Sequence, residues 1–269
     1  MSRVATLAAG TLAAAGSYAA HRVLTARVSS PRWQRSNHAG DPVTLLEGPA
    51  YVAGAALGAA TSGPAGLAAV LGSGAFGALD DLAGDGASKG LKGHLGAAAQ
   101  GRVTTGLVKV VGIGATGLVA AVLVDRGRDD VRALDTLVGG AVVAGAANLA
   151  NLLDLRPGRA LKATVLASLP LLLVRGDGAA PRAAAGTGAA LGVLAPDLAG
   201  TAMLGDTGAN AAGALVGTAL LGATGSRGRF AALVVLAGLT LASEKISFTR
   251  VIESTPGLRE LDAWGRPAR

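Results

Sequence analysis

Met203-Leu204-Gly205-Asp206-Thr207-Gly208-Ala209-Asn210 sets a carboxylate, a hydroxyl and an amide between two long apolar runs. Ionising Asp206 between such runs is expensive unless it meets water, a cation or a hydrogen-bond donor. An acid in that setting points to function. An Asp and a Thr ahead of an apolar run also serve as ordinary helix caps. The stretch alone leaves both readings open, and the position of the other polar clusters decides between them.

Working outward, half of the 269 residues are apolar (51%) and only 15% are charged, with a mean hydropathy of +0.49. A soluble domain carries roughly 25% charged residues, so the deficit points to a polytopic membrane protein. With 42 Gly and 3% aromatics, the helices are expected to approach closely through small faces. No Cys is present, which excludes disulfide and thiolate chemistry. The net charge of +7 does not mark a nucleic-acid binder, because the basic residues lie between apolar runs instead of on one basic domain.

The apolar runs are Val4–Leu24, Pro49–Ala60, Gly63–Leu79, Val103–Val124, Leu134–Leu153, Ala160–Val174, Ala183–Ala195 extending to Met203, Ala209–Ala223 and Phe230–Ala242. They predict an all-α fold: a polytopic transmembrane helix bundle of about nine spans, with eight or ten as the bounds. The chain reads as one integral membrane domain, 1–269, ending in a C-terminal segment, 244–269. With the N-terminus outside, fourteen Lys and Arg fall in cytoplasmic segments and eight in outside segments. The positive-inside rule therefore favours N-out and C-in, with 244–269 cytoplasmic. Met1–Ala20 also resembles a signal peptide, but its length and the loop charges fit a retained span better.

In that orientation the polar clusters share one side. Asp80-Asp81 closes the third run, Asn148, Asn151 and Asp154 close the fifth, and Asp206 with Asn210 lies between the seventh and eighth. Lys109 sits inside the fourth run and needs a carboxylate or phosphate partner. Asp80 and Asp81 point about 100° apart on a helix, so one is free to face a site while a cation or a backbone donor holds the other. The alternative for the Asn pair is helix–helix hydrogen bonding. The oxygens of Asp206, Thr207 and Asn210 suit Mg²⁺, and the N-terminus of the following helix suits a phosphate. Lys89, Lys92 and His94 fall in the loop after the Asp pair. The chain has no Walker-type phosphate loop and no His at metal-ligand spacing.

In order, Gly77-Ala78-Leu79-Asp80-Asp81, Asn148-Leu149-Ala150-Asn151-Leu152-Leu153-Asp154 and Leu204-Gly205-Asp206-Thr207-Gly208-Ala209-Asn210 resemble the cytoplasmic motifs of the polyprenyl-phosphate N-acetylhexosamine-1-phosphate transferases, the family of lipid I synthase and the GlcNAc-1-phosphate transferases. Thr105-Gly106-Leu107-Val108-Lys109 resembles the family's Lys-bearing helix. The resemblance runs from about Arg35 to Glu244. It implies transfer of a sugar-1-phosphate from a UDP-sugar to a polyprenyl phosphate, with release of UMP, at the cytoplasmic face of the plasma membrane in cell-envelope assembly. It implies Mg²⁺, with Mn²⁺ as an alternative, bound by Asp206. Asp80 or Asp81 would orient or deprotonate the lipid phosphate, and Lys109 would hold phosphate. Asn148, Asn151, Asp154 and Asn210 would line the substrate site. A homodimer is compatible with this reading.

The sequence departs from the family pattern in three places. The Asp-Asp-x-x-Lys motif reads Asp80-Asp81-Leu82-Ala83-Gly84, Asp154 is followed by Leu155-Arg156-Pro157-Gly158, and the last cytoplasmic segment lacks the His cluster of the lipid I synthases. Of these changes, the missing His cluster argues against MurNAc-pentapeptide as the donor. They also leave open a non-catalytic relative that binds polyprenyl lipid or an envelope-assembly partner. A transporter fits less well, because the chain lacks the internal repeat and paired broken helices of that class.

Overall fold

The computed structural model describes residues 3–37, 39–83, 104–174 and 178–267. Lys89, Lys92 and His94 lie outside the described residues. The helices are α1 (Arg3–Arg27), α2 (Glu47–Ala60), α3 (Pro64–Ala83), α4 (Thr105–Asp125), α5 (Ala133–Leu153), α6 (Arg159–Ser168), α7 (Ala179–Leu198), α8 (Gly205–Ala223), α9 (Ser226–Ser243), α10 (Phe248–Ser254) and α11 (Leu258–Ala263). All nine apolar runs are thus at least partly helical. The sixth is a ten-residue helix that tightens into a 3-10 turn, Leu169–Leu173, around Pro170. The expected turn between α2 and α3 is present, with Gly63 at φ +97° and Pro64 opening α3, a position where its missing N–H costs nothing.

Among the described residues, three helices, α3, α4 and α5, are long and apolar enough to cross a membrane alone. Counting α9 and α10, which meet at a 95° bend, as one span makes up to four. This is fewer than the nine runs of the sequence, for two reasons. At 14 and 10 residues, α2 and α6 are too short. In others, polar residues and Gly lower the mean hydropathy: Arg182 and Asp197 in α7, Asp206, Asn210 and the glycines in α8, Arg227 and Arg229 in α9.

Helix α8 is the axis of the bundle. Most of its residues are buried, and α2, α3, α5 and α7 pack against it. One alanine-rich core joins α1, α2, α7 and α8, and a second joins α3, α4, α5 and α8. Small side chains all round let α8 contact neighbours on every side. At the end away from the Asp pair, Arg229 is fully buried and donates to both oxygens of Asp125, at 2.8 and 2.5 Å. Thr136 Oγ1 donates to the same carboxylate at 2.7 Å, so this ion pair ties α4, α5 and α9 together.

Two features go beyond the all-α expectation. A short antiparallel hairpin pairs β1 (Gln34–Ser36) with β2 (Pro42–Thr44). It is fastened to the loop before α8 by Thr44 N–H to the Thr201 carbonyl (3.2 Å) and Met203 N–H to the Thr44 carbonyl (3.0 Å). The C-terminal segment folds back as α10 and α11. Arg159 donates to both Asp262 oxygens at 2.8 and 2.9 Å, and Lys162 Nζ donates to the carbonyls of Leu261 and Trp264.

Candidate functional site

The C-terminus of α3, the N-terminal part of α4, the C-terminus of α5 and the N-terminus of α8 meet at one end of the bundle. Their contact is close because Gly77 faces α8, where a Cβ would run into the Asp206 carbonyl oxygen and lie 2.8 Å from Thr207 Cα. Gly205 opens α8 with φ +59°, a conformation that L side chains rarely adopt.

Lys109 reaches from α4 into this junction. Its Nζ lies 2.8 Å from Asp80 Oδ2 and 2.6 Å from Asp206 Oδ2. One ammonium therefore serves two carboxylates, one from α3 and one from α8. The three side chains are each about one-fifth exposed or less, so the cluster is open at one edge.

Asp81 plays a different part from Asp80, as their divergent directions on the helix predict. It accepts from Asp206 N–H (3.0 Å), Thr207 N–H (2.8 Å) and Thr207 Oγ1 (2.6 Å). A carboxylate supplied by α3 thus caps α8, whose own preceding residue, Leu204, offers no side-chain cap. This corrects one expectation. From the sequence, this helix N-terminus is a seat for a ligand phosphate, but the Asp206 and Thr207 N–H groups are spent on Asp81. Arg35 of the hairpin donates to the Asp81 carbonyl.

The remaining expected residues separate. Asn210 is buried and donates to the Asp206 carbonyl at 2.7 Å, which steadies the first turn of α8. Asn148 donates to Thr240 Oγ1 at 3.1 Å, a bond between α5 and α9. Asn151 is half-buried one turn before the end of α5, and its carbonyl accepts from Asp154 N–H at 3.1 Å. Asp154 caps the end of α5 and is buried. Burial holds its carboxyl well above the usual carboxylate range; Asp197, Asp206 and Asp81 add to this, and a hydrogen bond from Gly205 N–H opposes it.

Two acids were missed in the sequence. Glu47, in the first turn of α2, and Asp197, near the end of α7, are 0% and 1% exposed. Both lie within electrostatic range of each other, and Glu47 also feels Asp154. Asp197 Oδ1 accepts from Gly158 N–H at 3.0 Å. Both Glu47 oxygens, Asp154 Oδ2 and Asp197 Oδ2 have no hydrogen-bond partner among the described residues. Asp154 and Asp197 line a cavity of about 250 Å³, together with Ser36, Asn37, Arg156 and Met203. The signal that singles out Asp206, an acid adjoining apolar runs, also marks Glu47 and Asp197.

Among the described residues, no group of three or more His, Cys, Asp or Glu could hold a metal ion by itself. Asp80 and Asp206 form a pair, and Mg²⁺ is commonly held by one or two carboxylates plus water and ligand phosphate. No protein-family model matches the chain, and no curated protein is similar to it.

Proposed function

We propose that the protein is a membrane enzyme that transfers a sugar-1-phosphate from a UDP-sugar to a polyprenyl phosphate. The observation that carries this reading is the bridge from Lys109 to Asp80 and Asp206, drawn from three helices to one end of the bundle. Phosphoryl transfer needs charge neutralisation and alignment more than covalent chemistry. The fixed position of Lys109 between Asp80 and Asp206 would supply alignment, and the charge would be neutralised by Lys109 together with a cation held at the two carboxylates. The motif order Asp80-Asp81, Lys109, Asn148–Asp154, Asp206 supports the same reading through the resemblance.

In this reaction an oxygen of the lipid phosphate attacks the β-phosphorus of the donor. The bond from that phosphorus to the UMP oxygen breaks, and UMP leaves. Asp80 orients the attacking phosphate or takes its proton. Lys109 holds phosphate oxygens through the transfer. Asp81 fixes α8 so that Asp206 keeps its position. Asp206, with Asp80, would hold Mg²⁺ or Mn²⁺, which would neutralise diphosphate charge. Asp154, with Asn151 near it, faces the donor side.

The finer topology is part of the proposal: about nine spans, N-out and C-in, in the plasma membrane with the site facing the cytoplasm. In support, α8 is covered by its neighbours and meets little lipid, so its Ala/Gly composition is no bar to spanning. The loop charges favour the orientation. The non-catalytic alternative draws support from the missing family charges after Asp81 and Asp154.

The test is UMP release by the full chain in nanodiscs, with polyprenyl phosphate, Mg²⁺ and a panel of UDP-sugars. Turnover with one donor, abolished by Asp206→Ala, is expected. No turnover across the panel by folded protein would overturn the reading, and lipid binding without nucleotide binding would establish the alternative.

A further inference from the structure

Helix α9 lies at the margin of the bundle. It packs on α5, and Arg229 is its only buried residue. Phe230, Val234 and Val235 are 61, 55 and 59% exposed, a face that suits lipid. After Ser243 the chain turns by 95° into α10. A helix at that angle to a membrane-crossing one lies in the plane of the membrane.

Beyond the bend the segment exposes apolar side chains alongside charged ones, among them Glu253, Arg259 and Glu260. Ile246, Val251, Leu258, Leu261 and Trp264 are 51, 40, 45, 41 and 69% exposed. Amphipathic helices in the interface plane bury such faces at the boundary of headgroups and acyl chains, and Trp concentrates there. Lys245 and Arg250 are exposed on the same segment, where they can meet lipid phosphates. Its inner side is fixed by the buried Arg159–Asp262 pair at 2.8 Å and by Arg156 to Glu253 at 3.3 Å. Arg156 also lines the cavity beside Asp154, so the platform is tied to the mouth of the candidate site.

We infer that residues 244–264 form a platform seated on the lipid surface, with these five apolar side chains at headgroup depth, which sets the level of the adjoining site relative to the lipid phosphates. The inference rests on α9 crossing the bilayer.

The chain has two Trp and no Cys, so probes are easily placed. In Trp33→Phe protein reconstituted into vesicles, Trp264 emission is read with brominated lipids. Loss of most of the emission with bromine near the headgroup is expected. Strongest loss with bromine near the chain ends would make α10–α11 the second limb of a broken span and overturn the platform. No loss with either would place the segment in water or against a second copy, and also overturn it. Should Trp33→Phe not fold, a nitroxide on Val251→Cys replaces it. Collisions with both oxygen and a water-soluble nickel chelate support the platform, and collisions with nickel alone overturn it. A nitroxide on Val235→Cys separates the premise, because nickel access there means that α9 does not cross and that the spanning reading itself fails.

Discussion

The carboxylate of Asp81 takes the backbone N–H and the hydroxyl of Thr207 at 2.8 and 2.6 Å, and so caps one helix from another. The adjacent Asp80 is thereby the only member of the pair that faces Lys109. Two neighbouring acids have been given separate tasks by a helix turn of 100°.

Replacing Asp81 with Ala leaves the first N–H groups of α8 unsatisfied. A loss of about 1–3 kcal/mol of stability is expected. Thermal unfolding in detergent measures it. Asp81→Asn should recover part of the loss, because its amide oxygen still accepts.

Lys109→Met leaves Asp80 and Asp206 facing each other with no cation. Breaking such a pair costs about 1–3 kcal/mol where it is partly exposed. Adding Asp80→Asn to Lys109→Met should restore stability but not UMP release. Equal stability of the single and double variants in thermal melts would disprove the electrostatic account.

Gly77→Ala pushes a methyl group into the Asp206 carbonyl and Thr207 Cα. Overpacking of this kind costs about 1–3 kcal/mol. Since the clash lies under the site, turnover should fall more than the melting temperature alone explains. An unchanged rate in the variant would show that the α3–α8 spacing is not critical.

At the opposite end, Asp125→Asn strips the buried Arg229 of its counter-charge. A loss of about 3–5 kcal/mol is expected for a fully buried partner. The effect should appear in unfolding and not in the donor affinity of protein that remains folded.

The docking of α10 and α11 should weaken in acid. Burial opposes ionisation of Asp262, but Arg159 and Arg266 prevail and hold its carboxyl below the ordinary range. A lowered folded-state value means that the stabilisation is complete above the ordinary carboxylate range. It is lost as pH falls through that range and then through the lower folded value. Lys162 donates to the carbonyls of Leu261 and Trp264, and burial holds its ammonium below the ordinary lysine range, so its deprotonation at alkaline pH does not favour the undocked state. Hydrogen exchange of residues 248–264 against pH should show protection falling only on the acid side, and a loss at alkaline pH would contradict this.

The sequence by itself determined the helices, because apolar runs in a charge-poor chain have few other ways to satisfy their backbone. It also determined that Asp80, Lys109 and Asp206 need partners, since charges beside apolar runs are costly alone. Only the tertiary structure decided which partners they find. The bridge at Lys109 joins positions 29 and 97 residues away, and no local pattern encodes that distance. Asn148 looks like a site residue by motif, yet its amide is spent on Thr240. Glu47 and Asp197 each adjoin an apolar run as Asp206 does, but their nearness to Asp154 exists only once α2, α5 and α7 have packed. Asp206-Thr207 was open to capping or chemistry in the sequence. The packing of α3 on α8 gives the capping to Asp81 and frees the Asp206 carboxylate for Lys109, because a helix N-terminus accepts a carboxylate from whichever neighbour reaches its open N–H groups.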